Sequence, residues 1–151
     1  MRLYRICRRA HRELDGEGAR LYGGRWNTPG RAVVYTSSTM ALAALEYLVH
    51  LDPRDVPSDL VAMTIEVPDD IPFETVEAAT LPGGWEREPE PPACKAMGDA
   101  WVDAGRTLAL RVPAAPIPEE TNVLLNPRHS AAPRVRIVGQ RPFFYDPRLL
   151  L

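Results

Sequence analysis

Three side chains between Gly23 and His50 have the types and spacing for chemistry: Arg25, Tyr35 and Glu46. Glu46 is the most telling, because it falls inside an apolar helical pattern. It shares a face with Leu42, four residues before it, and Val49, three after. A carboxylate at the border of a core is costly to desolvate unless something pairs with it or uses it. His50, four residues on, is within side-chain reach. Two readings follow for Glu46: a carboxylate satisfied by an Arg or His partner, or a catalytic carboxylate. Arg25 follows Gly23-Gly24, and two glycines let backbone approach a ligand closely. Its rigid fork of donors suits a phosphate or pyrophosphate, and the plainer alternative is an exposed arginine on a hairpin turn. Tyr35 ends a β-rich run. It is either a core tyrosine or a ring that stacks on a flat ligand while its hydroxyl donates a hydrogen bond.

A second polar cluster lies downstream, with Asn122, Asn126, Arg128 and His129 in the stretch NVLLNPRH. Asn122 and Asn126 bracket a short apolar strand, where Asx capping of turns competes with ligand binding. No Ser-His-Asp order, metal-ligand spacing, phosphate loop or GxGxxG fingerprint is found, so no metal site is expected.

The elements that must position these residues are short. Leu3–Ile6 reads as an opening strand, and a polar stretch with Arg8, Arg9, His11 and Arg12 reads as a solvated loop. Ala32–Thr36 is a β-rich run. Ser37 and Ser38 are N-cap candidates for a helix over Thr39–Leu51, whose core face would be Leu42, Leu45, Leu48 and Val49. Asp52-Pro53 ends that helix. Leu60–Val67 alternates as a half-buried strand, and the proline-rich, glutamate-rich segment Leu81–Pro92 reads as a surface loop. Cys94, Met97, Trp101 and Ala104 are spaced as one face of a second helix, closed by Gly105. Thr107–Val112, Asn122–Leu125 and Arg134–Val138 read as further strands. Strands outnumber helices and the helices sit between them, which predicts a compact mixed α+β domain.

The bulk numbers narrow the function. A chain of 151 residues fits one domain, residues 1–151, with a real core. A net charge of -2 argues against direct binding to nucleic acid or to an anionic membrane surface. Lys95 is the single lysine among 18 basic residues. That bias is either coding preference or a demand for bidentate recognition of phosphate or carboxylate. Two cysteines, Cys7 and Cys94, are too few for a disulfide framework and read as small core residues. With no signal-peptide pattern and no apolar run of membrane-spanning length, the expected compartment is the cytoplasm.

These residues resemble the RES domain family, the toxin half of bacterial toxin–antitoxin pairs. The resemblance starts at LYRI (Leu3–Ile6) and runs through GGRWN, AVVYTSS and ALAALEYLVHL. It continues in VPAAPIPEETNVLLNPRH and ends in the FFYDPRLL tail. It places the family arginine at Arg25, a tyrosine at Tyr35 and the glutamate at Glu46, and Arg5 also looks like a family position. One departure stands out. Where the family carries serine in its VPSA segment, this chain has Ala114. The resemblance implies a fold similar to ADP-ribosyltransferases and consumption of NAD+ as a substrate, with no retained cofactor. The nicotinamide–ribose bond would break with Glu46 stabilising the cation. Arg25 and Arg5 would hold polar groups of NAD+, Tyr35 would orient the nicotinamide end, and Asn122 would add a contact. ADP-ribose would pass to water or phosphate. Alternatives are transfer to a cellular protein, or an inactive NAD-binding or interaction module marked by Ala114. The implied protein partner is an antitoxin with an Xre-type helix-turn-helix domain.

Overall fold

The computed structural model describes all residues from Met1 to Leu151. Seven strands form along the chain: β1 (Arg2–Arg8), β2 (Val34–Ser37), β3 (Leu60–Glu66), β4 (Phe73–Thr75), β5 (Ala109–Pro113), β6 (Thr121–Leu125) and β7 (Arg136–Pro142). They join one sheet in the order β4-β5-β6-β2-β1-β3-β7, antiparallel except where β4 meets β5. Three α-helices accompany them: α1 (Glu17–Tyr22), α2 (Met40–Leu48) and α3 (Pro92–Ala104). The expected α+β architecture is the one observed.

Strand alternation sorts the core into two layers. On one face Leu3, Val34, Ile65, Val123 and Leu125 pack together, covered by Leu14 and by Ala131–Val135. On the other face Tyr35, Leu110, Val112 and Leu124 meet Trp26, Trp85, Cys94 and Trp101. On that second face α2 also sets Ala43 against Ile6 and Ala62. Cys7 and Cys94 are both buried, as expected of core residues.

The sheet is not equally joined throughout. β1 pairs with β3 along its whole length, Arg2 with Glu66 through Arg8 with Leu60. β2 pairs with β6 from Val34–Leu125 to Ser37–Asn122. Between these halves, β1 and β2 share only the pair Tyr4–Ser37. Beyond that pair the strands part, so the sheet is split at its centre. Helix α2 lies across the split. Ala43 packs on the β1–β3 half, while Glu46 reaches β6 on the other.

Several local expectations change. Helix α2 is shorter than Thr39–Leu51, and its N-cap is Thr39, whose side chain accepts the Leu42 N–H at 3.1 Å. Ser37 ends β2 instead of capping the helix. The helix closes in tight turns, His50 N–H to the Tyr47 carbonyl and Leu51 N–H to Leu48. Val49 therefore leaves the core face and is 54% exposed. On α3 the buried residues are Cys94, Gly98 and Trp101, and Met97 sits at the surface. Helix α1 and strand β4 were not expected. At six and three residues, the first with an internal glycine, they are too short to show periodicity.

Candidate active site

Glu46 sits on α2 with one carboxylate oxygen held. Its Oε1 accepts a hydrogen bond from Asn122 Nδ2 at 2.6 Å. The other end of that amide, Oδ1, accepts from the Ser37 hydroxyl at 2.8 Å. Ser37 and Asn122 are cross-strand partners on β2 and β6, so the ladder register itself brings them together. Ser37 is buried, and Asn122 and Glu46 are half-buried. No arginine, lysine or histidine pairs with Glu46, and no protein group donates to Oε2, which keeps contact with solvent. His50, the partner its spacing offered, is exposed beyond the end of the helix. Tyr4, paired with Ser37 across the split, borders the same place on the same face.

Arg25 and Tyr35 belong to a neighbouring and different structure. Two residues before Ser37 on the same face of β2, the Tyr35 hydroxyl donates to Asn27 Oδ1 at 2.6 Å and accepts the Trp26 N–H at 3.1 Å. Burial pushes this phenol above its ordinary range. The hydroxyl offered to nicotinamide is thus already taken up, and Tyr35 holds the Gly24–Asn27 turn. Gly24 has a role in that turn: a Cβ there would lie 2.6 Å from the Tyr35 hydroxyl. Arg25 is not the exposed turn residue of the plainer reading. Its Nη1 donates to the carbonyls of Trp85 and Arg87 at 2.8 and 3.0 Å, and its Nη2 to Glu88 at 3.0 Å. Of its five N–H donors these contacts use three.

Lys95, which the sequence singled out only by its rarity, closes this region from α3. Its Nζ donates to the Gly24 carbonyl and to Glu90. The Lys95 hydrogen bond holds the Glu90 carboxyl down at about 2. Trp26 and Trp85 pack nearby, their rings tilted at 45° with centres 6.5 Å apart.

Arg5 is not brought to Glu46. Alternation along β1 turns it to the face opposite Tyr4, and its Nη1 donates to the Glu13 carbonyl at 3.3 Å. It borders the split from that other side. Asn126 makes the expected Asx turn, accepting the Arg128 N–H at 3.0 Å, and His129 Nδ1 accepts the Ala131 N–H. Ala114 is wholly buried just past β5. Two open surface concavities, of about 410 and 420 Å³, lie elsewhere: one beside Arg31, Asn126 and Arg128, the other beside Thr75, Met97 and Trp101. Neither is lined by Glu46. Sequence reasoning missed Ser37 as a partner in this site. The double serine resembled a helix cap, and nothing local signals a partner on β6.

Comparison with known proteins gives the family and the fold. The family described as "RES domain" matches residues 2–146. A Sphingobium protein named "Prs ADP-ribosylating toxin" is 42% identical over 141 residues, covering 91% of this chain and 87% of that protein. "Toxin Res" of Yersinia enterocolitica is 36% identical and covers 99% of both. The toxin–antitoxin complex MbcT–MbcA of M. tuberculosis contains a similar fold, with a TM-score of 0.75 at 22% identity, over 99% of this chain and 86% of that one.

Proposed function

The chain belongs to the RES domain family, and from that premise we propose that it is a toxin that consumes NAD+ at Glu46. The observation that carries this reading is a half-buried carboxylate beside a split sheet, one oxygen fixed by Asn122 and the other open. Cleavage of the nicotinamide–ribose bond sends the bonding electron pair out with nicotinamide and leaves a cation shared by C1′ and the ring oxygen. A fixed anion facing that cation stabilises the transition state more than the neutral-sugar ground state. The Glu46 Oε2 would lie toward C1′ or accept a hydrogen bond from the ribose 2′-hydroxyl, as carboxylates do in glycoside cleavage. Water, or phosphate, then bonds to C1′; water gives up a proton as ADP-ribose forms.

The remaining residues take supporting places. Arg25 keeps its Nε–H and one Nη2–H for the pyrophosphate or an adjacent polar group of the dinucleotide. Tyr35 acts by holding the Gly24–Asn27 turn. A dinucleotide entering the split would meet Arg5 from one face and Glu46 from the other. No helix is long and apolar enough to cross a membrane, which suits action on the cytoplasmic NAD+ pool. An antitoxin, of Xre type by resemblance, would block the split.

A second reading is transfer of ADP-ribose to a cellular protein, favoured by the name of the Sphingobium relative. Mass spectrometry of NAD+ products, with and without phosphate, separates the acceptors. Free nicotinamide with ADP-ribose or its 1-phosphate supports the first reading. Labelled NAD+ that marks a protein band in cell extract, with little free ADP-ribose, supports the second. No release of nicotinamide under either condition sinks both and leaves a binding module.

A further inference from the structure

The line Ser37–Asn122–Glu46 has a direction. An ionised carboxylate only accepts hydrogen bonds, so the amide of Asn122 must turn its NH₂ end to Glu46. Its oxygen then faces β2, where the Ser37 hydroxyl donates to it at 2.8 Å. Hydroxyl, amide and carboxylate form one chain of donors running from strand to helix. Ser37 is 4% exposed, so solvent does not compete for its hydroxyl.

An amide has a second orientation, reached by turning its end group over. Flipped, Asn122 would present its oxygen to the Glu46 carboxylate, acceptor against acceptor. The acceptor-only carboxylate selects the orientation, and the Ser37 hydroxyl anchors it by donating to the amide oxygen. The chain ends on a carboxylate that no cation closes, and its second oxygen is open. A purely structural polar chain would end on a saturated group, as the one around Tyr35 does.

We propose that Ser37 is a positioning residue for Glu46, acting through Asn122 to fix one carboxylate oxygen and leave the other for the ribose. The resemblance implied a direct NAD+ contact for Asn122; the geometry gives it this intermediate place instead. The inference rests on Glu46 being the catalytic carboxylate. Ser37 makes no contact with the substrate, so its loss lowers kcat and spares KM.

The test uses the purified full chain, NAD+ as substrate and nicotinamide release as the readout, with thermal unfolding run beside it. Ser37→Ala is expected to lower kcat about tenfold, the weight of one lost hydrogen bond to a charged chain, with KM within about twofold. Asn122→Asp keeps the size of the side chain and puts an acceptor against Glu46. It should lower kcat by about tenfold or more. It decides the matter if Ser37→Ala does not fold. A folded Ser37→Ala with unchanged kcat, or an Asn122→Asp with full activity, overturns the inference. If Glu46→Gln itself releases nicotinamide at the wild-type rate, the reading of Glu46 fails first; if only Glu46→Gln is inactive, the reading stands and this inference falls.

Discussion

Around Tyr35, each polar group is answered by another. The hydroxyl meets Asn27 and Trp26, Arg25 grips two carbonyls and Glu88, and Lys95 joins Gly24 to Glu90. Around Glu46 on α2, whose polar chain starts at Ser37 two residues beyond Tyr35 on β2, one end is left open. The first region spends its hydrogen bonds on holding a turn and a loop. The second keeps an oxygen in reserve at a break in the sheet. Both regions contain a charged residue that stood out in the sequence. What separates them is how each charge is held: an arginine tied by three of its five donors serves first as a brace, whereas a carboxylate with one fixed and one open oxygen can act on a ligand.

Substitutions sharpen that contrast by striking activity in one region and stability in the other. Glu46→Gln keeps the side chain's shape and can still accept from Asn122, but it removes the charge. Nicotinamide release should fall by about 10²–10³-fold, as when a group stabilising transition-state charge is lost. The melting temperature should move by no more than about 2–4 °C, the weight of roughly 1 kcal/mol in a chain of this size. A large drop in melting temperature with activity per folded molecule intact would make Glu46 structural and erase the contrast.

The opposite profile is expected of Gly98→Ala. A Cβ there would lie 1.7 Å from the Trp26 carbonyl oxygen, so α3 and the Gly24–Asn27 turn must separate. Overpacking of this kind costs about 3 kcal/mol, or roughly 6–12 °C in melting temperature. An unchanged melting temperature would show that α3 does not press on the turn this closely.

How much of this was legible follows from where each signal lies. Glu46 was readable because a carboxylate in an apolar helical face is conspicuous within ten residues of sequence. Six of the seven strands were readable as apolar or β-rich runs, β3 alone by clear alternation. The split between β1 and β2 was not, because pairing is decided by residues more than thirty positions apart, such as Tyr4 and Ser37. Arg25 was found, but its occupation by Trp85, Arg87 and Glu88 depends on a loop sixty residues away. Ser37 was misread for the same reason. Locally it precedes a helix, and only the β2–β6 register reveals Asn122 as its partner.

The Lys95–Glu90 pair sharpens the contrast through pH. The Glu90 carboxyl is lowered from 4.5 to about 2, chiefly by the Lys95 hydrogen bond. A depressed carboxyl stabilises the fold at pH values above 4.5, and that stabilisation fades as pH falls toward 2. Lys95→Met should therefore cost about 1–2 kcal/mol at neutral pH, since the pair is partly exposed to solvent. The gap between wild type and variant in chemical unfolding should close as pH falls through that window. A gap that holds constant to low pH would mean that the lysine contributes by its bond to the Gly24 carbonyl or its aliphatic stem, and not by its pairing with Glu90.

The smallest expected effect concerns Ala114. The β5–β6 ladder pairs Val112 with Asn122 and Pro113 with Thr121, and the Ala114 N–H continues it to the Glu120 carbonyl. Ala114 therefore lies on the same face as Val112 and diagonal to Asn122, about 7 Å away between Cα atoms. A serine there would carry its hydroxyl into a wholly buried position, where a partner is required. Asn122 Oδ1, already held by Ser37, is the acceptor the register offers. In the wild type, Ala114→Ser should thus change kcat by less than about twofold, because the amide is already oriented. In a Ser37→Ala background the same serine should raise kcat about threefold, by giving the amide oxygen a second donor. A double variant that folds but gains nothing would place the serine out of reach of Asn122. The open-ended chain would then have only one possible anchor, on β2, and the replacement of the family serine by alanine would have to be explained away from Glu46.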